Sequence, residues 1–227
     1  KDYTIKPVAH IKNDFNEKFG IPRQSGRAPS VISKIIFTPE YREPDALREI
    51  ETFSHLWLIF DFSKAHVDGK WLPLIRPPRL GGNKKVGVFA SRSPFRPNNL
   101  GLSVVKLISV DKNETDGTFL TVSGADLLDG TPIFDVKPYL PFADSIPDAV
   151  GGYADEQTNH KLTVKFDNGV ENLIPKDKIN GLIECLEDDP RPSYHDDDRV
   201  YGMAFAGYNV KFKVENNVLT VVEVRKI

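Results

Sequence analysis

The chain has 227 residues, 40% of them hydrophobic and 27% charged, with a formal net charge of -2, a composition typical of a globular protein with one large domain or a medium and a small one. Its single cysteine, Cys185, excludes an internal disulfide framework and a cysteine-based zinc site. No apolar run of about 18 residues is present and the first residues lack the apolar core of a signal peptide, so we expect a cytoplasmic protein that does not cross a membrane.

Short apolar stretches rich in β-branched and aromatic residues recur through the first two-thirds of the chain, separated by turn-forming residues. One short helix is predicted over 45–53, directly behind Pro44. Many short strands with few helices predict a mainly β fold, with a small β-barrel over 1–150, and argue against a doubly wound α/β sheet. The predicted strands are 31–37, 56–62, 86–90, 103–110 and 119–125.

The last third of the chain has a different pattern. Polar residues over 151–160 are typical of a linker. Apolar residues at helical spacing then predict a helix over about 175–187, with Pro190 beyond its end. Strands over 201–205, 209–214 and 218–224 follow, the last two joined by an Asn216-Asn217 turn into a hairpin. We therefore expect a small α+β domain over 151–227.

Charge is distributed unevenly along the sequence. No acidic residue occurs between Gly69 and Val110, whereas the C-terminal part is rich in aspartate and glutamate. A segregated basic region can attract phosphate even when the net charge is negative, although chance clustering on a solvated face is the alternative. The cations of this region are Lys70, Arg76, Arg79, Lys84, Lys85, Arg92, Arg96 and Lys106.

The segment 87–103 carries the densest set of unusual residues. It begins as a strand and becomes an irregular loop in which Pro94 and Pro97 fix the backbone. Arg92 and Arg96 suit a carboxylate or phosphate, because guanidinium binds planar anions with two hydrogen bonds. Gly101 would let a ligand or another backbone approach closely. The alternative interpretation is an ordinary proline-rich turn with solvated arginines.

Two further polar segments are candidates for a site. In 124–132, Asp126 could accept hydrogen bonds from an amine or ribose, or act as a base, whereas Asp129 before Gly130 is typical of a turn. The polar loop 22–27 could wrap a ligand. No glycine-rich dinucleotide motif follows a strand, no phosphate-binding loop is present, and the five histidines lack metal-ligand spacing. We expect no metal.

Residues 87–98, GVFASRSPFRPN, resemble the signature loop of the TrmO family, also called the YaeB-like or VirR-like family. Family-like strings also occur in order along nearly the whole chain. They are KFGIPRQ at 18–24, FSHLW at 53–57, RPPRLGG at 76–82, DLLDGTP at 126–132, DVKPYLP at 135–141 and DPRPSY at 189–194.

This resemblance implies a β-barrel methyltransferase that uses S-adenosyl-L-methionine without a dinucleotide-binding fold. It implies a homodimer with the cofactor near the subunit interface. The implied substrate is N6-threonylcarbamoyladenosine at position 37 of tRNA, methylated on N6. Two alternatives to this enzyme stay open: a non-catalytic RNA-binding barrel, which would bind tRNA but not the cofactor, and an S-adenosylmethionine-binding sensor, which would bind the cofactor but not RNA.

The resemblance also implies site residues. Arg92 would bind the carboxylate of the cofactor or of the threonyl group, and Asp126 would take the N6 proton or hold the cofactor. Phosphates of the anticodon loop would bind Arg76, Arg79, Lys84 and Lys85, with further RNA contacts from Arg96, Arg191 and Tyr194. The implied cofactor contacts are Ser25, Gly26, Arg27, Ser63, Lys64, Arg92, Leu102, Asp126, Leu127, Leu128 and Asp129.

Overall fold

A computed structural model describes residues 2–66, 71–77, 84–157, 160–191 and 199–227. The fold is mainly β, which confirms that prediction, and no helix of the described residues is long and apolar enough to span a membrane. Its helices are α1 (Pro141–Asp144) and α2 (Lys176–Glu187). Its strands are β1 (Ala9–Lys12), β2 (Ile32–Phe37), β3 (His55–Asp61), β4 (Leu74–Ile75), β5 (Val86–Gly87), β6 (Leu100–Asn113), β7 (Gly117–Ser123), β8 (Pro132–Pro138), β9 (Thr163–Phe166), β10 (Tyr201–Phe205), β11 (Tyr208–Glu215) and β12 (Val218–Lys226).

Six strands of the N-terminal part pair in the order β1-β2-β7-β6-β3-β8, and β8 pairs again with β1, so that the sheet closes into a barrel. Alternation of apolar and polar residues determines which side chains face inward. In β3, for example, Leu56, Leu58 and Phe60 are buried and the residues between them are not. The barrel interior is filled by such side chains from every strand.

Gly101 of β6 is required by packing inside this barrel. A Cβ at this position would lie 2.2 Å from Cζ of Phe60 on the neighbouring strand. The close neighbour of Gly101 is therefore an aromatic ring, where the sequence suggested a ligand or another backbone.

The segment predicted as a helix over 45–53 instead forms two short 3-10 helices, Pro44–Leu47 and Ile50–Thr52. Between them Glu49 has a φ of 68°, which interrupts the helical hydrogen bonds. Leu47 and Ile50 pack on the barrel core, and these few apolar contacts do not hold a short continuous helix together.

The strand predicted over 86–90 ends after Gly87. The short β5 pairs with β4, and Val88–Ala90 then turn as a 3-10 helix. Val88 is buried and its N–H donates to the carbonyl of Pro73 at 2.9 Å, so the chain turns inward instead of extending the ribbon. The short strands β1, β8 and β9 were not predicted.

The C-terminal part forms a four-stranded sheet in the order β10-β11-β12-β9, with α2 packed against it. The predicted helix and hairpin are confirmed: α2 begins after Pro175, and Asn216 and Asn217 have positive φ in the turn between β11 and β12. The predicted linker contains a 3-10 helix over Gly152–Gln157.

A segment of the N-terminal part contributes to the core of the C-terminal part. Phe15, Ala28 and Val31 are buried in the same apolar cluster as Leu182 and Phe205. The segment 13–31, which joins β1 to β2, therefore connects the barrel to the C-terminal sheet before it returns to β2.

Candidate cofactor and RNA site

The polar loop 22–27 lies against the end of β7. The N–H of Gly26 donates to the carbonyl of Gly124 at 2.8 Å, and the N–H of Gly124 donates to the carbonyl of Val31 at 3.2 Å. Both glycines have positive φ, and a Cβ on Gly124 would lie 3.2 Å from the Cα of Gly26. Glycine at these positions permits the close approach that brings Ser25 beside Asp126.

Asp126 follows β7 and lies opposite Ser103 of β6. The Ser103 hydroxyl, itself buried, donates to Oδ1 of Asp126 at 2.6 Å. Burial raises the pKa of Asp126 above its ordinary value, while the bond from Ser103, backbone N–H groups including that of Ser25, and the charge of Arg92 oppose this rise. The result is a carboxylate with an elevated affinity for a proton and several fixed hydrogen-bond donors around it.

Arg92 lies close enough to Asp126 for its positive charge to act on that carboxylate. Its Nη1 donates to Oε1 of Gln24 at 2.6 Å, which orients an otherwise exposed side chain. The guanidinium retains further N–H groups for an anion. Gln24, Ser25, Arg92, Ser103 and Asp126 thus form one polar group, which we call the Asp126 cluster.

The signature loop is held in its shape by its own hydrogen bonds. Nδ2 of Asn99 donates to the carbonyl of Pro94 at 2.7 Å, and the Asn99 carbonyl accepts the N–H of Phe62 at 2.8 Å. Nη1 of Arg96 donates to the carbonyl of Ser91 at 3.1 Å. Arg92 therefore projects from a loop whose backbone is already positioned.

A cleft of about 1970 Å³ runs along the signature loop, between the segment 71–77 and the end of α2, and Gln24 and Arg92 are the members of the Asp126 cluster that line it. Of the predicted RNA contacts, Arg76, Lys85 and Arg96 line this cleft, whereas Lys84 is exposed outside it. Two of the predicted contacts, Arg79 and Tyr194, lie outside the described residues.

The end of α2 binds the polar loop. Oδ1 of Asp188, a residue that is 4% exposed, pairs with Nε of Arg27, and Oδ2 accepts the N–H of Arg23 at 3.4 Å. The last turn of α2 has no basic residue of its own. Because the C-terminal end of a helix is the negative end of its dipole, the arginines of the loop compensate the charge there.

Arg191 and Arg27 thus have structural partners. The guanidinium of Arg191 pairs with both carboxylate oxygens of Asp189, at 2.9 and 3.0 Å. The backbone carbonyl of Arg191 accepts a hydrogen bond from Nη2 of Arg23 at 2.6 Å. The side chain of Arg191 is largely buried. In this structure these arginines connect the two parts of the chain.

The remaining predicted cofactor contacts lie around the Asp126 cluster or away from it. Leu127 is buried in the barrel core, and the carboxylate of Asp129 accepts the N–H of Asn13 at 2.8 Å in a turn. The carbonyl of Leu128 accepts the hydroxyl of Thr131. Leu102 is exposed on the outer face of β6, next to Ser103.

Ser63 and Lys64 are exposed, and the carbonyl of Lys64 accepts Nζ of Lys18 at 2.6 Å. Of the predicted cofactor contacts, the structure therefore groups Ser25, Gly26, Arg92 and Asp126 most closely.

Sequence reasoning missed Ser103 and Asp188. A signal for Ser103 was available, because it occupies a buried position in the alternating pattern of β6 where apolar residues are the rule. Asp188 gave no local signal, since its partners Arg23 and Arg27 are distant in sequence. Within the described ranges, no three His, Cys, Asp or Glu side chains form a group that could hold a metal ion.

Comparison with known proteins identifies the relatives of this chain. The model of the tRNA-methyltransferase O N-terminal domain matches residues 10–145, and that of the TrmO C-terminal domain matches residues 159–227. The tRNA (adenine(37)-N6)-methyltransferase of Escherichia coli (strain K12) is 39% identical over 221 residues, which cover 93% of each chain. The putative S-adenosylmethionine-dependent methyltransferase RcsF of Pseudomonas aeruginosa is 40% identical over 201 residues, covering 85% of this chain and 83% of that protein. The crystal structure of TrmO from P. aeruginosa is similar with a TM-score of 0.81 and 31% identity, covering 100% of this chain and 98% of that one.

Proposed function

The chain belongs to the TrmO family of tRNA methyltransferases, and on that premise we propose that it transfers a methyl group to N6 of N6-threonylcarbamoyladenosine at position 37 of tRNA. The observation that carries the proposal is the Asp126 cluster, in which a half-buried carboxylate accepts a hydrogen bond from buried Ser103 and lies beside an arginine oriented by Gln24. Family membership favours this enzyme over a non-catalytic RNA-binding barrel or a cofactor sensor. As an enzyme acting on tRNA, it would work in the cytoplasm.

The residues of the cluster fit S-adenosyl-L-methionine. The cofactor has an amine and ribose hydroxyls that donate hydrogen bonds, and a carboxylate that accepts them. Asp126 offers the acceptor and Arg92 offers donors, while the N–H groups of Ser25 and Gly26 already donate to Asp126 and to the carbonyl of Gly124 and hold the loop in place. Leu102 offers exposed apolar surface on β6. Most of these groups are already ordered by protein hydrogen bonds, so little conformational entropy is lost on binding.

When bound, the cofactor supplies a methyl group activated by a positively charged sulfur. The protein contributes position and proton handling. The carbamoyl group withdraws the lone pair of the accepting N6, and loss of the N6 proton would restore it. Asp126 either accepts that proton, for which its raised pKa suits it, or holds the amine or ribose of the cofactor.

Arg92 binds a carboxylate in either version of the mechanism. The cofactor and the threonyl group of the modified base both carry one, and a guanidinium can hold either with two hydrogen bonds. Because Gln24 orients Arg92 and Ser103 orients Asp126, both charged groups are fixed before substrates arrive. Fixed polar groups stabilise a developing charge without reorganisation.

The cleft supplies a route for RNA to the Asp126 cluster. Arg76, Lys85 and Arg96 line it, and Arg92 belongs to both the cleft and the cluster. Contacts between these cations and phosphates of the anticodon loop would place the base at position 37 near Asp126.

A homodimer is part of this proposal. Large apolar side chains are exposed on the outer face of the barrel on β2 and β6, where Ile32, Leu100, Leu102 and Ile108 are 40% to 52% exposed. Leu100 and Leu102 lie two residues apart on the same face of β6, and this exposed apolar part of β6 would be covered by a second copy of the chain. Sedimentation of the protein and of a Leu102→Glu variant tests this part, because a charge in the interface would favour the monomer.

The reaction is tested by mass spectrometry of tRNA nucleosides from cells that lack the protein. We expect loss of the N6-methylated threonylcarbamoyl nucleoside and accumulation of its precursor. With purified protein, Arg92→Ala should weaken S-adenosylhomocysteine binding or turnover, whereas Arg48→Ala, which removes another exposed arginine, should change neither. Wild-type affinity and turnover in Arg92→Ala would contradict the role given to Arg92.

A further inference from the structure

Three exposed aromatic rings form one wall of the cleft. Trp71, Phe89 and Phe95 are 49%, 72% and 53% exposed, and all three line the cleft. The ring centroids of Trp71 and Phe89 are 5.9 Å apart with an interplanar angle of 40°. We call these residues the aromatic wall.

The aromatic wall is held in place by the backbone. β4 and β5 pair Leu74 with Gly87 and Ile75 with Val86, and the carbonyl of Pro73 accepts the N–H of Val88. These bonds hold the two segments that carry Trp71 and Phe89 next to each other, so that the two rings lie side by side. Exposed apolar side chains that lie together in a patch often mark a binding surface.

The charges around the wall match a polyanion. Arg76, Lys85, Arg92 and Arg96 line the same cleft. Among the described lining residues the acidic ones are Asp188 and Asp189, and both are paired with arginines of this chain.

The size of the cleft also indicates more than one ligand. Small-molecule sites typically have volumes of about 300 to 1000 Å³. A cleft of about 1970 Å³ has room for nucleotides in addition to a cofactor.

We infer that the aromatic wall is a stacking platform for unpaired nucleotides of the RNA loop that flank the target adenosine. The inference rests on the proposed function, since it assigns the wall to the same substrate. Aromatic rings stack on any unpaired base, and the neighbouring cations bind the phosphates between stacked nucleotides. The platform therefore favours a single-stranded loop over a duplex, whose bases are already stacked on one another.

The test uses tryptophan fluorescence. The chain has two tryptophans, and Trp57→Phe leaves Trp71 as the only reporter. Trp57 lies on β3 against Tyr139, away from the aromatic wall. An RNA hairpin with an anticodon-loop sequence should quench Trp71 saturably, and a blunt RNA duplex of the same length should not.

Variants then measure the contribution of the rings. Trp71→Ala and Phe89→Ala should each weaken hairpin binding by about 5- to 150-fold, the range found for loss of one base-stacking contact. Trp71→Phe, which keeps a ring, should lose much less. Phe142→Ala removes an exposed aromatic side chain outside the cleft and is the matched control. Circular dichroism confirms that each variant is folded, and affinity for S-adenosylhomocysteine should stay at the wild-type value.

Three results would overturn the inference. The first is equal quenching of Trp71 by hairpin and duplex. The second is a Trp71→Ala variant that binds the hairpin as tightly as Trp71→Phe. The third is a Trp71→Ala or Phe89→Ala variant that loses self-association in sedimentation while its hairpin affinity stays intact, which would assign the wall to a second copy of the chain. Nucleoside mass spectrometry separates this from failure of the proposed function, because methylation can persist without a stacking platform and hairpin binding can persist without methylation.

Discussion

Replacing Asp188 by asparagine removes the negative charge that binds the polar loop to the end of α2. Loss of one partner from a buried ion pair typically costs about 3–5 kcal/mol. The side chain of Arg27 is still 23% exposed, and asparagine can still accept one hydrogen bond, so we expect a smaller loss. The free energy of unfolding should fall by about 2–3 kcal/mol.

The same substitution should weaken cofactor binding, although Asp188 is not placed in contact with the cofactor. Asp188 fixes Arg23 and Arg27, which bracket the residues that meet Asp126. Ordering the backbone of even one released residue on binding costs about 1–2 kcal/mol, or roughly ten-fold in affinity. Calorimetry with S-adenosylhomocysteine at a temperature where the variant is folded measures this loss, and urea unfolding measures the change in stability.

Lys178→Met is the matched control. Nζ of Lys178 pairs with Oδ2 of Asp14 at 2.7 Å, so this pair also joins the two parts of the chain but does not touch the polar loop. It should lower stability while leaving S-adenosylhomocysteine affinity unchanged. If Asp188→Asn binds the ligand like the wild type, or if Lys178→Met weakens binding equally, the α2 end does not position the loop.

Four other substitutions test the site and the barrel. Asp126→Asn should lower turnover by at least about 100-fold if the carboxylate is a base. Wild-type activity should fall on acidification at a pH above the ordinary aspartate pKa of 3.8, because burial raises the pKa of Asp126, and the variant should lack this limb. Because the pKa of Asp126 is higher in the folded than in the unfolded protein, Asp126 stabilises the folded state at low pH, and this stabilisation is lost as the pH rises through the raised pKa. In urea unfolding, the Asp126→Asn variant should lack this pH dependence of the free energy of unfolding. Replacing Arg76 or Lys85 by glutamine should reduce the slope of log affinity for tRNA against log salt by about one, and an unchanged slope removes that residue from the interface. Gly101→Ala, which places a methyl group against Phe60, should lower the free energy of unfolding by about 1–3 kcal/mol in urea, and wild-type stability would show that the ring has room to move.

Elements with strong periodic patterns could be predicted from the sequence. The inward residues of β3 and the apolar spacing of α2 follow from alternation and helical periodicity, and both elements are found within a residue of the predicted bounds. The prediction of a helix over 45–53 is wrong. Leu47 and Ile50 have helical spacing but are too few to define a helical face, and the backbone turns at Glu49 between them. The four-residue β1 and the proline-containing β8 have patterns too short or too irregular to predict.

For the site, local sequence patterns indicated which segments carry functional residues, but they did not indicate which distant residues those segments contact. The pattern around Arg92 and Asp126 pointed to an anion site and a functional carboxylate. The bond from Ser103 to Asp126 and the pair between Arg27 and Asp188 depend on contacts between residues far apart in sequence. No local pattern contains this information, so a loop arginine that looks free for a ligand can have a structural partner.

The route of the segment 13–31 has a consequence for synthesis on the ribosome. Phe15, Ala28 and Val31 pack on strands that are translated last. These residues therefore stay exposed to solvent until the C-terminal sheet has been synthesised. The barrel strands are complete much earlier and can form first. The polar loop belongs to this segment, so we expect the pocket beside Asp126 to reach its native conformation only after the C-terminal sheet has folded. A product that lacks this sheet would have a barrel in which the pocket is not fully formed.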